Sequence, residues 1–173
     1  DAIIVGRFIG KAALAAVGGS AGLIINLTVG FFMGLTSGAS VIVSQFFGSD
    51  NKEKVNDSIH TIYAFSVIGS IFITIIGIMV SPAILSLMNT PEELITDSIL
   101  YLRIYFGGIF FVFIYNTGSG LLRALGDSKR PLYSLVVCCF INIVLDLVLI
   151  LIFDMGIAGA AVATVISQAI SAL

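Results

Sequence analysis

Long apolar runs, separated by short polar segments, make up most of this 173-residue chain. A helix needs about 20 apolar residues, at ~1.5 Å rise each, to cross a bilayer. The pattern predicts complete helical spans from 12 to about 35, 58 to about 80, 98 to about 120 and 132 to 153. A partial span precedes them and another begins at Ala160, so we expect about five to six transmembrane helices.

The polar segments predict where the spans begin and end. Residues 36–48 are apolar enough either to continue the first complete span or to lie along the membrane interface. Ser81-Pro82 predicts a helix stop, and Thr90 before Pro91 predicts a helix cap. Turns or loops are expected at 6–11, 49–57, 121–131 and 154–159.

The composition supports an all-α integral membrane protein, a polytopic helical bundle. Of the residues, 58% are hydrophobic and only 10% are charged, against about 25% charged in soluble domains. We expect a multi-pass protein of the plasma (inner) membrane in contact with lipids. The adjacent Cys138 and Cys139 are expected to be free, buried thiols inside a span.

The distribution of basic residues predicts the orientation. Loops 49–57 and 121–131 fall on one side of the membrane and carry most of the lysine and arginine residues, whereas Arg7 and Lys11 lie on the other side with more acidic segments. By the positive-inside rule, both loops are expected to be cytoplasmic. The basic 121–131 turn is read as a determinant of this topology and not as a nucleic-acid site.

The strongest functional signal is the pair Asn142 and Asp146, near the middle of the most apolar span. Residues four apart share one face of a helix. An ionised carboxylate at this depth costs several kcal/mol, roughly 2.5–3.5 on insertion scales, and such groups usually mark ion, proton or substrate paths. The alternative is a polar pair that only helps helices associate, or an aspartate closer to the interface than the pattern indicates.

Two further residues are weaker candidates. Asp1 offers a second carboxylate, although a terminal aspartate is equally read as an exposed chain end. Thr164 lies on the span after Asp146 and could reach a similar depth across a short turn, although a lone threonine more often bonds back to its own helix. His60 with Ser119 or Ser40 could suggest a hydrolase, but neither an oxyanion site nor an oriented base can be read from the chain, so no enzyme is expected.

Several strings, in order and over nearly the whole chain, resemble the multidrug and toxic compound extrusion (MATE) family of secondary transporters. They are DAIIVGRFIG with LAAVG at 14–18, GASVIVSQFFG at 38–48, GLLRALGDSKRP at 120–131, NIVLD at 142–146 and GIAGAAVATVISQ at 156–168.

The resemblance implies two six-helix lobes, of which residues 1–173 would be the N-terminal one, from the end of helix 1 to part of helix 6 and cut from a longer chain. It further implies efflux of cationic drugs or toxic organic compounds by antiport with H⁺ or Na⁺. The expected partners are a small cationic substrate, membrane lipids and the missing C-terminal lobe, with no cofactor and no nucleic acid.

The family's cation site implies specific residues in this chain. An aspartate of helix 1, an asparagine and an aspartate one turn apart on helix 5, a threonine of helix 6 and a tyrosine of helix 4 correspond to Asp1, Asn142, Asp146, Thr164 and Tyr101, with Tyr105 as the second candidate for the tyrosine. Sodium, if it is the coupling ion, would bind at Asp1, Asn142, Asp146 and Thr164. The alternatives are a lipid-linked oligosaccharide flippase of the same superfamily and a non-transporting membrane scaffold.

Overall fold

The computed structural model describes residues 2–172, which form a bundle of helices without strands in that range. The helices are α1 (Ala2–Phe8), α2 (Lys11–Gly18), α3 (Ser20–Gly48), α4 (Lys52–Leu87), α5 (Glu92–Ala124), α6 (Lys129–Leu147) and α7 (Gly156–Ala172). A π-helical segment, Val148–Ile152, continues α6.

Four segments within the described residues are long and apolar enough to cross a membrane, and α7 is a shorter apolar helix. The long segments are Lys11–Gly48, Lys52–Leu87, Glu92–Ala124 and Lys129–Ile152. Large apolar side chains remain exposed along α4, among them Ile68, Phe72 and Met79. Such a face is stable in lipid, so the predicted all-α membrane bundle is confirmed.

The helix α5 is the centre of the bundle and packs against α2, α3, α4, α6 and α7. Half of its span is buried, against 17% of the α4 and α6 spans. Because lipid is as apolar as leucine, helices in membranes associate through close packing and hydrogen bonds. Hydroxyl groups supply several such bonds to α5: Ser66 to Thr117 (2.6 Å), Thr74 Oγ1 to the Phe106 carbonyl (3.0 Å) and Ser98 Oγ to the Ala16 carbonyl (3.1 Å).

Close packing between α5 and α7 depends on Gly108. A Cβ built at this position would lie 2.3 Å from the side chain of Val165. The glycine therefore lets the two helix backbones approach each other, which fixes the depth of α7 relative to α5.

Several predicted boundaries are wrong because helices extend further than the polar residues suggest. The turn predicted at 6–11 is short, since α1 continues through Phe8. The loop predicted at 49–57 is reduced to 49–51, because the Asn51 side chain accepts the Lys54 N–H at 3.1 Å and caps α4. The predicted turns at 121–131 and 154–159 shrink to 125–128 and 153–155.

Pro82 does not stop α4, which continues to Leu87. Proline removes one backbone donor, but transmembrane helices tolerate it where serine or threonine side chains satisfy the backbone. The neighbouring Ser81 hydroxyl donates to the Gly77 carbonyl. That bond strengthens the turn at the proline but does not replace the lost one, since Pro82 leaves the Ile78 carbonyl without its helical N–H. The cap predicted at Thr90 is also wrong, since Pro91 occupies the position before Glu92 and α5 begins without a side-chain cap.

The first complete span differs from the predicted 12–35 in two ways. It is interrupted at Gly19, whose backbone leaves the helical region and whose Cβ, if present, would lie 2.5 Å from the Ala15 carbonyl oxygen. Beyond this break, α3 continues through 36–48, which decides between the two alternatives for that segment in favour of a continuous helix.

The packing of α5 on α7 predicts that Gly108→Ala destabilises the protein by about 1–3 kcal/mol, the usual cost of overpacking. Gly107→Ala is the matched control, because a Cβ there meets no atom within 4 Å and alanine favours helices over glycine. Thermal unfolding in detergent measures both. Adding Val165→Ala to Gly108→Ala is expected to restore part of the loss, and equal stability of the two glycine variants would contradict this packing.

Candidate functional site

The carboxyl group of Asp146 is the most deeply buried charged side chain in the described part of the chain, with 0% exposure. Asp146 lies in the last turn of α6, two residues before the start of the π-helical segment Val148–Ile152. Wide turns of this kind occur mostly as single-turn features and often at functional sites. This burial shows that the Asp146 side chain faces the interior of the bundle and not the outer surface of α6.

Tyr101 and Tyr105 of α5 lie on the same side of the bundle as Asp146. Their rings are stacked with centroids 6.4 Å apart, and both residues are buried. Tyr101 is close enough to Asp146 for the two groups to interact electrostatically. At the other end of α6, the Tyr115 hydroxyl donates to the Pro131 carbonyl at 3.3 Å, so α5 and α6 run antiparallel and approach each other there.

Thr164 reaches this region from α7, which packs antiparallel to α6. Two contacts fix the register: the Ser171 hydroxyl approaches the Ser134 carbonyl at 3.4 Å, and a Cβ at Gly159 would lie 3.3 Å from Leu149. Together they place Thr164 level with residues 141–144, beside Asn142 and within about one turn of Asp146.

The Thr164 hydroxyl donates to the Ala160 carbonyl of its own helix at 2.9 Å. This local bond is the common arrangement for threonine in a membrane helix. It uses the hydroxyl proton and orients the oxygen, whose lone pairs can still accept a proton donor or ligate a cation. The hydrogen bond of Thr164 to its own helix is therefore compatible with a role as a ligand in the site.

Asn142 lies one turn before Asp146 on the same face of α6, as predicted. Its Nδ2 atom is buried and has no hydrogen-bond partner among the described residues. Asp1, the remaining predicted site residue, lies outside the described residues. Within residues 2–172, no three histidine, cysteine or acidic side chains cluster.

One polar residue of this region was not singled out from the sequence. Gln168 lies one turn after Thr164 on α7, and its Oε1 atom is buried without a hydrogen-bond partner among the described residues. A lone glutamine in a Ser-Gln pair near the end of an apolar helix gives no pattern by which to recognise it. Its position between three helices becomes visible only after the registers are known.

A cavity of about 450 Å³ lies between α3 and α5, on the side of the 125–128 turn. It is lined by hydroxyl and amide groups together with the exposed Arg123; the polar lining residues are Thr36, Ser37, Ser40, Ser44, Asn116 and Arg123. None of them was predicted as a site residue. The cavity shares no lining residue with the Asp146 region, so the two are separate features.

The hydrolase interpretation of His60 with Ser40 or Ser119 gains no support from the structure. Ser40 donates to the Thr36 carbonyl at 2.8 Å, and Ser119 is buried within α5, whereas His60 is exposed on α4. Cys138 and Cys139 are both free thiols, as predicted, and Cys138 is buried. The prediction of burial is wrong for Cys139, which is exposed because neighbouring residues of a helix point about 100° apart.

Comparison with known proteins gives consistent matches. The sequence model of the family described as MatE matches residues 1–148. The probable multidrug resistance protein YoeA of Bacillus subtilis (strain 168) is 40% identical over 167 residues, which make up 94% of this chain and 36% of YoeA.

Two solved structures of a multidrug resistance MATE family transporter of the MOP superfamily are also similar. The outward-facing one has a TM-score of 0.86 at 30% identity, covering 99% of this chain, and the inward-facing one has 0.88 at 29%, covering 98%. The chain covers 38% of each, so it spans little more than a third of its relatives' length. These relatives are multi-pass membrane transporters and not enzymes.

Proposed function

Because the chain belongs to the MatE family, we propose that it forms the N-terminal lobe of a secondary transporter that exports cationic drugs or toxic organic compounds. Export would be coupled to the inward flow of H⁺ or Na⁺. The observation that supports this most directly is the fully buried Asp146 within an apolar span, because a carboxyl group at that depth is costly unless it binds a proton or cation.

The roles of the site residues follow from their chemistry. Asp146 would exchange the coupling cation. Asn142 and Thr164 would supply neutral oxygens that suit Na⁺ and orient the carboxyl group, and Asp1 would provide a second carboxylate. Tyr101 would form the wall of the site on the α5 side, where its ring stacks on Tyr105.

Transport requires one lobe to move against the other, so this segment alone is not expected to transport. The similarity to both an outward-facing and an inward-facing structure, with TM-scores of 0.86 and 0.88, supports a lobe that keeps its shape while the whole protein changes conformation. Cation binding at Asp146 would then bias the relative position of the lobes.

Asp146→Asn in the whole transporter is expected to reduce gradient-driven efflux of a fluorescent cationic dye to the level of empty vesicles, because an amide cannot exchange a proton and lacks the negative charge that would balance a bound Na⁺. Efflux is measured with imposed H⁺ and Na⁺ gradients in turn, which identifies the coupling ion. Asp154→Asn is the matched control: Asp154 is exposed with a φ of 51°, a conformation that asparagine readily adopts.

Unchanged efflux in a folded Asp146→Asn protein would remove Asp146 from coupling. If the unsubstituted protein shows no efflux under either gradient, the lipid-linked oligosaccharide flippase and the scaffold become the functions to test.

The proposed orientation places the 49–51 and 125–128 connections in the cytoplasm. In a protein with Cys138→Ala and Cys139→Ala, a membrane-impermeant maleimide added to intact cells is expected to label Glu92→Cys but not Ser128→Cys. Both positions are exposed at opposite ends of α5. Labelling of Ser128→Cys alone would mean that the lobe is inverted.

A further inference from the structure

One side-chain amide atom of Asn142 and one of Gln168 are buried without a hydrogen-bond partner among the described residues: Nδ2 of Asn142 and Oε1 of Gln168. Leaving one such atom unsatisfied costs more than an ordinary hydrogen bond gains, so two of them in one region indicate a shared partner. One atom is a donor and the other an acceptor.

The helix registers direct Gln168 into the junction of α5, α6 and α7. Val165 faces α5, where it packs on Gly108, and Ser171 faces α6, where it approaches Ser134. Gln168 is three residues after Val165 and three before Ser171. At about 100° per residue it therefore points about 60° from each of these directions, between the two neighbouring helices.

Asn142 faces the same junction from α6. It lies four residues after Cys138 and four before Asp146, and both of these residues are buried, so all three share the inner face of α6. Tyr101 and Asp146 at one end and Tyr115 and Pro131 at the other set the α5–α6 register, which places Asn142 level with Tyr105.

The two amides are too far apart to bond directly but lean toward each other. The Ser171–Ser134 contact places Gln168 level with about residue 137, roughly 7.5 Å along the axis from Asn142. Side chains tilt toward the N-terminus of their own helix, and because α6 and α7 are antiparallel these two tilts converge. Polar groups separated in this way are commonly bridged by water.

We propose that Asn142 and Gln168 hold a bound water molecule between them, with Cys138 beside it. The water would accept a hydrogen bond from Asn142 Nδ2 and donate one to Gln168 Oε1. It would lie on the side of Asp146 that faces the 125–128 turn. This role rests on the proposed function, in which Gln168 is then a further positioning residue. It holds a water molecule on the route that a proton or cation takes between Asp146 and that side of the membrane.

Hydroxyl-radical labelling by X-ray radiolysis tests the water directly in the whole protein, because radicals form at bound waters. The two adjacent thiols provide a matched pair of equal intrinsic reactivity: Cys138 is buried beside the proposed water, and Cys139 is exposed on the apolar outer face of α6. In lipid nanodiscs we expect Cys138 to be oxidised faster than Cys139, although it is the more buried. Slower oxidation of Cys138 would overturn the proposal, whatever the protein transports.

Gln168→Leu tests the role of the residue. It should slow the oxidation of Cys138 and raise the half-saturating concentration of the coupling ion about two- to tenfold, the equivalent of one net hydrogen bond. Ser171→Ala, which removes a hydroxyl facing a backbone carbonyl on the same helix pair, should change neither. If Asp146→Asn abolishes efflux while Gln168→Leu leaves both ion dependence and labelling unchanged, the proposed function stands and the role of Gln168 is wrong. If Gln168→Leu does not fold, the labelling of the unsubstituted protein still decides the proposal.

Discussion

The cost of burying the Asp146 carboxyl group in a membrane span constrains the surrounding structure. An ionised group at this depth must find polar neighbours, and α5 and α7 bring them to α6. Gly108 allows α7 to approach α5 closely, and the contacts of Gly159 and Ser171 with α6 align Thr164 with Asn142. Tyr115 and Tyr101 fix the position of α6 along α5. The buried polar residues therefore depend on apolar helix packing for their geometry, and a change in that packing would move them.

The helices associate through close packing and hydrogen bonds, because burying apolar surface gains little in a lipid environment. Burial is concentrated on α5, while α4 and α6 present most of their apolar surface outward. Hydroxyl groups such as Ser66, Thr117 and Ser98 connect α5 to its neighbours. Hydrogen bonds of this kind are worth only modest amounts each in membranes, so the close contact of small residues is needed as well. This explains why glycines occupy several helix contacts.

The sequence was sufficient to predict the class of protein, most of the spans and the polar stripe of α6, because hydropathy and a spacing of four residues are local signals. It was not sufficient at Pro82 and Gly19. A proline that elsewhere ends a helix lies inside α4, and a glycine among many small residues breaks the first complete span. Gln168 was missed because its direction relative to α5 and α6 depends on how α7 packs against both helices, which the sequence does not show. The roles of Asn142, Asp146, Thr164 and Tyr101 stay predictions, and Asp1 lies outside the described residues.

The central claim is that Asp146 binds the coupling cation. Calorimetry of cationic substrate binding to the purified whole transporter, in buffers of different protonation enthalpy and with or without Na⁺, measures it most directly. The account predicts that the unsubstituted protein releases a proton on binding, or that Na⁺ changes the affinity, and that Asp146→Asn shows neither effect. Proton release and Na⁺ dependence that persist unchanged in Asp146→Asn would contradict it and would place the coupling site elsewhere in the protein.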